Sequence, residues 1–187
     1  MIAEFAVRTE ISSVRFDPSA LLMVSRAAIQ TITFCDPEEF FRAYSETGQL
    51  VMMLQEEVKF EMYFRCYCID QRNVKVMNYE PRNPYHLRYR TDWQAPREIL
   101  EKVEQGVIAL NQYLGYDLNT VEFACEDGVP YAIDFMNPAP DADLHSVGQE
   151  NFDWIVNAVA ELACAHALDA GNAPREYRWT AFLNAQA

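Results

Sequence analysis

Two carboxylates and an amide stand close together between residues 115 and 143. Glu122 is predicted to lie on one strand and Asp134 on the next, because Asp127-Gly128 between them is typical of a tight hairpin turn. Asn137 follows where the second strand ends. Carboxylate and amide oxygens are the ligands that Mg²⁺ prefers, and Mg²⁺ commonly takes its remaining ligands from water and nucleotide phosphates. The stretch therefore predicts a magnesium site.

Acidic residues beside a turn are also typical of an ordinary solvated surface. The neighbours of the two acids favour the metal site, because apolar residues flank both acids and predict that the acids share the opposite face of the hairpin. These neighbours are Val121, Phe123, Ile133 and Phe135. A face that holds two acids close together needs a reason to do so, and a bound metal ion is one.

The composition indicates a folded domain and excludes several classes of partner. The chain has 187 residues, of which 50% are hydrophobic and 13% aromatic, enough to bury a core. Its formal net charge of -13 argues against a surface that tracks nucleic-acid phosphates or an anionic membrane. The five cysteines form no C-x-x-C motif, so we expect reduced, mostly buried thiols and a cytoplasmic protein.

The elements that must position the acids follow from periodicity and turn residues. Helices are predicted from Asp36 to Gly48, over 94–114 and from about Asn151 to Ala170. Strands are predicted over 50–58, 61–69, 73–79, 120–125 and 130–135. Hairpins with helices on one side predict an α+β domain with a mostly antiparallel sheet. Before Asp36 the patterns are weak: 11–16 and 29–34 are compatible with strands and 18–30 with a helix.

The order of these elements and two motifs carry a family resemblance. A long helix, then Leu-Gly-Tyr-Asp-x-Asn-Thr-Val-Glu-Phe, a hairpin, and Tyr-Ala-Ile-Asp-Phe-Met-Asn-Pro resemble the C-terminal part of the ATP-grasp ligases. That family includes glutathione synthetase, D-alanine ligase and the ribosomal-protein glutamate ligases. The resemblance implies that Glu122 and Asp134, twelve residues apart, bind Mg²⁺ together with the ATP phosphates, and that Mn²⁺ can replace Mg²⁺. An unrelated binding module would have to match both motifs by accident.

Asn137 departs from the family pattern. The family's asparagine lies two residues after the second carboxylate, a place that Met136 occupies here, and Asn137 lies three residues after it. A β-bulge would restore the position of Asn137, because a bulge inserts one residue into a strand. We therefore retain Asn137 as the third metal ligand.

Further candidates come from the strands before the hairpin. The run 51–56 resembles the family's strand that leads to the adenine, which implies nucleotide binding by Gln55 and Glu56. Arg65 resembles the family's arginine that faces phosphate and acyl phosphate, and it is our candidate catalytic residue; a strand arginine is also common at a surface. Arg88 and Arg90 lie in a Pro-flanked loop that could hold a carboxylate substrate, or simply be solvated.

The ATP-gripping half of the family is not recognisable. The family has a lysine on a strand and a glycine-rich loop before the helix that corresponds to 36–47, yet this chain has no lysine before Lys59 and no glycine before Gly48. We therefore expect residues 1–35 to be a divergent or truncated N-terminal segment, 36–171 to be the ATP-grasp C-terminal (metal-binding) region, and 172–187 to be a tail.

The resemblance implies two functions. In the first, the protein in intact form is an ATP-dependent carboxylate–amine ligase that acts through an acyl phosphate, with small-molecule carboxylate and amine substrates. In the second, the chain is a truncated or degenerate, non-catalytic ATP-grasp remnant or a partner subunit. An apolar face left uncovered by a missing lobe would favour a homodimer.

Overall fold

The computed structural model describes residues 21–25, 31–34, 36–46, 48, 52–89 and 92–168. For 21–25, 31–34 and 52–56 it describes the backbone alone. The described residues form two compact units that divide between Lys59 and Phe60. None of the helices in these ranges is long and apolar enough to cross a membrane.

The unit before Lys59 is a three-stranded antiparallel sheet with one helix. Its elements are β1 (Leu21–Ser25), β2 (Thr31–Phe34), α1 (Pro37–Glu46) and β3 (Met52–Glu56), and its strand order is β2-β1-β3. Asp36 caps α1 as the sequence predicts, because its Oδ1 accepts a 2.7 Å hydrogen bond from the backbone N–H of Glu38. Phe40 is buried.

One prediction in this unit is wrong and one is confirmed in part. A helix was compatible with 18–30, but Leu21–Ser25 is the central strand and pairs with β2 on one side and β3 on the other. The run Leu-Leu-Met-Val-Ser is short and apolar, so its pairing with distant strands decides its conformation. Of the strand predicted over 29–34, Thr31–Phe34 is confirmed. The strand predicted over 11–16 lies outside the described residues.

The unit from Phe60 onward contains a four-stranded antiparallel sheet and its helices. The strands are β4 (Met62–Ile69), β5 (Asn73–Asn78), β6 (Leu118–Glu126) and β7 (Val129–Asn137), in the order β5-β4-β6-β7. The helices are α2 (Arg97–Leu114), α3 (Leu144–Val147) and α4 (Gln149–Leu168), with a 3₁₀ turn at Tyr85–Leu87. The predicted α+β class, a mostly antiparallel sheet flanked by helices, is confirmed.

The turn and the helix end that the sequence marked lie where they were predicted. Asp127 and Gly128 both have positive φ, of 52° and 73°, as a type I′ hairpin turn requires. Gly115 ends α2 with φ of 74°, and its N–H donates to the carbonyl of Asn111 at 2.8 Å. The short helix α3 and the 3₁₀ turn were not predicted, because each is too brief to give a periodic signal.

The two faces of the four-stranded sheet are covered by different helices. Side chains of α2 pack on one face against alternate residues of β4 and β6, among them Phe64, Cys66, Val121 and Phe123. On the other face Tyr67 and Met77 pack with Val147 of α3 and Ile155 of α4. The predicted boundaries at residues 35 and 171 stay predictions, and residues 172–187 lie outside the described part.

Candidate functional site

Three charged residues lie in one row across three adjacent strands. Arg65 on β4 is directly opposite Glu122 on β6, and Glu122 is directly opposite Asp134 on β7. Directly opposite residues of an antiparallel pair have Cβ atoms about 5 Å apart and point to the same face. The register set by the hairpin turn alone would pair Glu122 with Ile133, and a register shift between Glu122 and Phe123 brings Asp134 opposite Glu122 instead. The two acids therefore lie together, and β4 places the candidate catalytic arginine beside them.

Asn137 joins the acids one row further along the sheet. It is directly opposite Thr120, which lies two residues before Glu122 on β6. The ladder is irregular between these pairs, because two steps along β6 match three steps along β7. This is the bulge that the Asn137 spacing required. Each pair puts its β7 residue on the same face as its β6 partner, so Asn137 shares the face of the two acids.

Glu122 is largely buried and has polar partners on both oxygens. The hydroxyl of Tyr63 donates to Glu122 Oε2 at 2.6 Å, and Arg65 Nε lies 3.6 Å from Glu122 Oε1. Burial raises the pKa of Glu122 above its usual value, Tyr63 and Arg65 oppose this shift, and Asp134 adds to it. A cation bound here would favour the ionised form.

Arg65 has a charged partner but an incomplete set of hydrogen bonds. Its Nε is buried and has no hydrogen-bond partner, since 3.6 Å to Glu122 is beyond hydrogen-bond length. Its guanidinium lies 5.7 Å from the centre of the Tyr79 ring. Burial alone would lower the pKa of Arg65, but Tyr89, Glu122 and Tyr79 raise it, so the side chain stays charged. A buried, charged donor without a partner has capacity to bind an anion.

Arg88 approaches the same face from the loop between β5 and α2. Its Nη1 donates to the Tyr79 hydroxyl at 3.2 Å, and its Nε donates to the carbonyl of Asn83 at 3.2 Å. The positive charge of Arg88 lowers the pKa of Glu122, so Arg88, like Arg65, favours the ionised carboxylate. The other predicted substrate residue, Arg90, lies outside the described residues.

Two solved structures of D-alanine–D-alanine ligase from Bacillus anthracis are similar to this chain. The one complexed with ATP matches with a TM-score of 0.64 and 14% sequence identity, covering 87% of this chain and 60% of that chain. The other matches with a TM-score of 0.61 and 15% identity, covering 81% of this chain and 57% of that one. The chain has an ATP-grasp fold. It spans about 60% of the length of the ligase that it matches.

A third solved structure matches this chain less well, and the comparisons with family models and curated proteins found no match. A RiPP-associated ATP-grasp ligase from Chryseobacterium gregarium, in complex with ADP and a leader and core peptide, matches with a TM-score of 0.47 and 10% identity. It covers 85% of this chain and 51% of that chain. The first ligase structure matches 87% of this chain, which is more than residues 36–187 alone make up. The matched part therefore includes residues before Asp36.

The two residues predicted to bind the nucleotide lie in the unit that ends at Lys59. Gln55 and Glu56 are on β3, opposite Leu22 and Leu21 of β1. Their side chains are outside the described part of the chain. Of the predicted site residues, the structure therefore brings together Arg65, Arg88 and the three candidate metal ligands.

Tyrosines that the sequence did not single out line this face of the ATP-grasp sheet. Tyr63 and Tyr79 are buried, and Tyr79 packs edge-on against Tyr89 with ring centres 5.0 Å apart. Burial raises the pKa of Tyr63 and of Tyr89, so both stay protonated. Alternation of Tyr63, Arg65 and Tyr67 along β4 was the available signal, because residues two apart share a face.

Another group of possible metal ligands lies at the far end of β4 and β6. Asp70, Asp117 and His166 each place one ligand atom within 4.8 Å of the others. Asp70 also forms an ion pair with Arg72. Exposed acidic residues commonly approach one another without a cation, and we assign this group no role.

Proposed function

We propose that this chain is the Mg²⁺-ATP-binding part of an ATP-dependent carboxylate–amine ligase of the cytoplasm. One observation carries the proposal: the row Arg65–Glu122–Asp134, with Asn137 in the next row, on a sheet of ATP-grasp fold. Glu122 is largely buried next to the exposed Asp134, and Arg65 supplies one positive charge beside them, so the pair keeps capacity to bind a cation.

The side chains in the row fit a hard divalent cation. Glu122, Asp134 and Asn137 offer oxygen donors only, the set that Mg²⁺ and Mn²⁺ take. A carboxylate has about four lone-pair sites, so Glu122 keeps free acceptor capacity beside its hydrogen bond from Tyr63 and its ion pair with Arg65. Mg²⁺ bound to these oxygens would offset the negative charge of the nucleotide phosphates.

The chain's own residues would orient the reacting groups and hold charge. Tyr63 holds Glu122 through the 2.6 Å hydrogen bond, which fixes the carboxylate's rotamer. The guanidinium of Arg65, held beside Glu122, would supply a fixed positive charge that stabilises negative charge developing during phosphoryl transfer. Arg88 donates hydrogen bonds to Tyr79 and Asn83, and we assign it the binding of the substrate carboxylate.

The proposed reaction has two steps. A carboxylate oxygen of the first substrate bonds to the γ-phosphorus of ATP while the bond to the β–γ bridging oxygen breaks, which releases ADP and leaves an acyl phosphate. The amine nitrogen of the second substrate then bonds to the acyl carbon, phosphate leaves, and the nitrogen loses a proton. Gln55 and Glu56 are proposed to contact the adenosine of ATP.

Calorimetric titration tests the proposal. A non-hydrolysable ATP analogue is titrated with Mg²⁺ into the wild-type chain and into the Glu122→Gln/Asp134→Asn variant. We expect micromolar, metal-dependent binding to the wild type and its loss in the variant. The matched control is Glu104→Gln/Glu161→Gln, which removes two acidic charges from exposed helix positions and should bind like the wild type. Equal binding by both variants would reject the assigned metal ligands.

A second function, a non-catalytic remnant or partner subunit, has its own support in the sequence. The absence of lysine before Lys59 and of glycine before Gly48 favours it, because a phosphate-cradling loop uses glycine for close backbone approach. An absence of binding at millimolar analogue would favour this function over the first. Coding sequence for a further ATP-grasp half directly upstream would instead indicate that the active unit is larger than this chain.

A further inference from the structure

β7 departs from a regular ladder at two places, between Glu122 and Phe123 and between Thr120 and Glu122, and at the second place its additional residue is Met136. Between the pairs Glu122–Asp134 and Thr120–Asn137, β7 contains one residue more than β6. Phe135 packs against the core under α2, whereas the Met136 side chain is 60% exposed. Without this bulge the pleat would turn Asn137 to the face opposite Asp134, because residues three apart in a regular strand point to opposite sides.

The side chain of Asn119 replaces the ladder hydrogen bonds that the bulge breaks. The backbone N–H of Asn137 donates to Asn119 Oδ1 at 2.8 Å. Asn119 Nδ2 in turn donates to the backbone carbonyl of Phe135 at 2.9 Å. Asn119 is fully buried, whereas Phe135 and Asn137 are half-buried, so the amide of Asn119 is held inside the protein while it binds the backbone at the edge of the site. One amide thus holds the backbone on both sides of Met136.

We propose that Asn119 is a positioning residue that holds the Met136 bulge and thereby keeps Asn137 on the face of Glu122 and Asp134. Asn119 does not touch the cation or the nucleotide; it acts through the backbone of Asn137. The role in metal binding rests on the proposed function, whereas the role in the bulge rests on the two hydrogen bonds alone.

The first test replaces the amide with an apolar side chain of similar shape. Asn119→Leu should expose the Asn137 amide to hydrogen exchange, and raise the Mg²⁺ concentration needed for half-maximal analogue binding by about 10-fold, as for other residues that orient metal ligands. Asn111→Leu is the matched control. Asn111 is also fully buried, and its Nδ2 donates to the carbonyl of Val107 at 2.8 Å, within α2. It should change neither readout.

The second test removes the need for Asn119. Deletion of Met136 makes Asn137 the second residue after Asp134, so a regular ladder can keep both the Glu122–Asp134 and the Thr120–Asn137 pairs. In this background Asn119→Leu should leave the Mg²⁺ dependence within about twofold of the deletion variant. A purely structural role for Asn119 would give the same loss in both backgrounds, because independent effects add.

The outcomes distinguish the role of Asn119 in the bulge from its role in metal binding. Unchanged Asn137 exchange in Asn119→Leu would overturn the proposal, whatever the nucleotide affinity. Faster exchange with an unchanged Mg²⁺ requirement would overturn the positioning role. Equal losses with and without Met136 would overturn it as well. If the wild type itself shows no metal-dependent binding, the proposed function fails and the role of Asn119 in metal binding fails with it, although the exchange data still report on the bulge.

Discussion

The two faces of the four-stranded sheet differ in what their side chains can do. The face under α2 is apolar and closely packed, with Phe64, Cys66, Val121 and Phe123 buried against the helix. The other face carries tyrosines, Arg65 and two carboxylates, and among the described residues two of its buried polar atoms, Arg65 Nε and the Tyr89 hydroxyl, have no hydrogen-bond partner. Because strand residues alternate between faces, adjacent positions of β4 and β6 serve different purposes.

Adjacent residues of one strand therefore have different roles: one packs in the apolar core, and the next lies on the face that carries the candidate site. Burial of apolar surface on the α2 face supplies favourable free energy, at roughly 25 cal/mol per Å². Burial of Glu122 on the other face is opposed by desolvation, which raises its pKa. Substitutions at neighbouring positions should therefore have effects of different size and even of opposite sign.

The largest effect is expected from Phe123→Ala. Phe123 is 1% exposed and packs in the core under α2, so its truncation should lower the free energy of unfolding by about 3–5 kcal/mol, through lost burial and the cavity left behind. Urea unfolding followed by circular dichroism measures this change. Met136→Ala is the control, since Met136 is exposed and should change stability by less than about 0.5 kcal/mol. Similar losses would contradict the contrast between the faces.

The thiols of the α2 face should make the protein sensitive to alkali. Burial raises the pKa of Cys68 from 9.0 to about 12 and that of Cys66 well above 9.0. The folded state thus favours the neutral thiol, and this stability is present below pH 9 and lost as pH rises from about 9 towards 12. Cys68→Val should reduce the fall in the free energy of unfolding over this pH range by up to about 1.4 kcal/mol per pH unit, as measured by urea unfolding. Cys164→Val, at an exposed position, should not.

A smaller effect is expected where the loop that carries Arg88 is tied to the chain after β7. Asp141 accepts hydrogen bonds from the Tyr85 hydroxyl and from the backbone N–H of Asp143, and its carbonyl accepts one from Tyr67. Asp141→Ala removes the two side-chain bonds, at a cost of about 1 kcal/mol in stability.

Protease sensitivity of the loop that carries Arg88 tests the contact between Tyr85 and Asp141. Limited trypsin digestion should cleave faster after Arg82 and Arg88 in Asp141→Ala than in the wild type, because release of Tyr85 frees the loop. Asp153→Ala, which removes an exposed acid on α4, serves as the control. If both variants are cleaved at the wild-type rate, the tether does not hold the loop.

Much of this arrangement was predictable from local signals. The apolar spacing of Ile99, Val103 and Val107 located α2, and the Asp127-Gly128 turn located the hairpin that carries Glu122 and Asp134. These signals are local, since they depend on periodicity and on positive φ at the turn. The bulge was anticipated only through the family resemblance, which implies an asparagine two residues after the second carboxylate where this chain has Met136.

The features that could not be predicted from the sequence depend on contacts between residues that are far apart in the chain. Leu21–Ser25 is a strand because β2 and β3 flank it, which a helical spacing argument could not detect. The hydrogen bond between Tyr63 and Glu122 joins residues 59 apart, and the tether between Tyr85 and Asp141 joins residues 56 apart. Such pairs depend on strand order and register, which set the partners of each side chain.

The smallest effect, and the one of opposite sign, is expected at Glu122. Its pKa in the folded protein lies above the ordinary value, mainly through burial, so the fold favours the protonated form. The stability that Glu122 contributes is therefore present below its unfolded pKa and lost as pH rises through its folded pKa. At neutral pH, in the absence of divalent cations, Glu122→Gln should raise the melting temperature slightly, whereas Phe123→Ala lowers it steeply.

The pH dependence distinguishes this electrostatic origin from a change in packing. Melting temperatures are measured with a chelator from pH 4 to pH 8, for wild type and Glu122→Gln. The advantage of the variant should shrink towards pH 4, because the wild-type carboxyl then becomes neutral like the amide. An advantage that is constant with pH would indicate packing, and a loss at neutral pH would mean that the contacts with Tyr63 and Arg65 outweigh burial. Either result would break the assignment of Glu122 as a costly residue kept for metal binding.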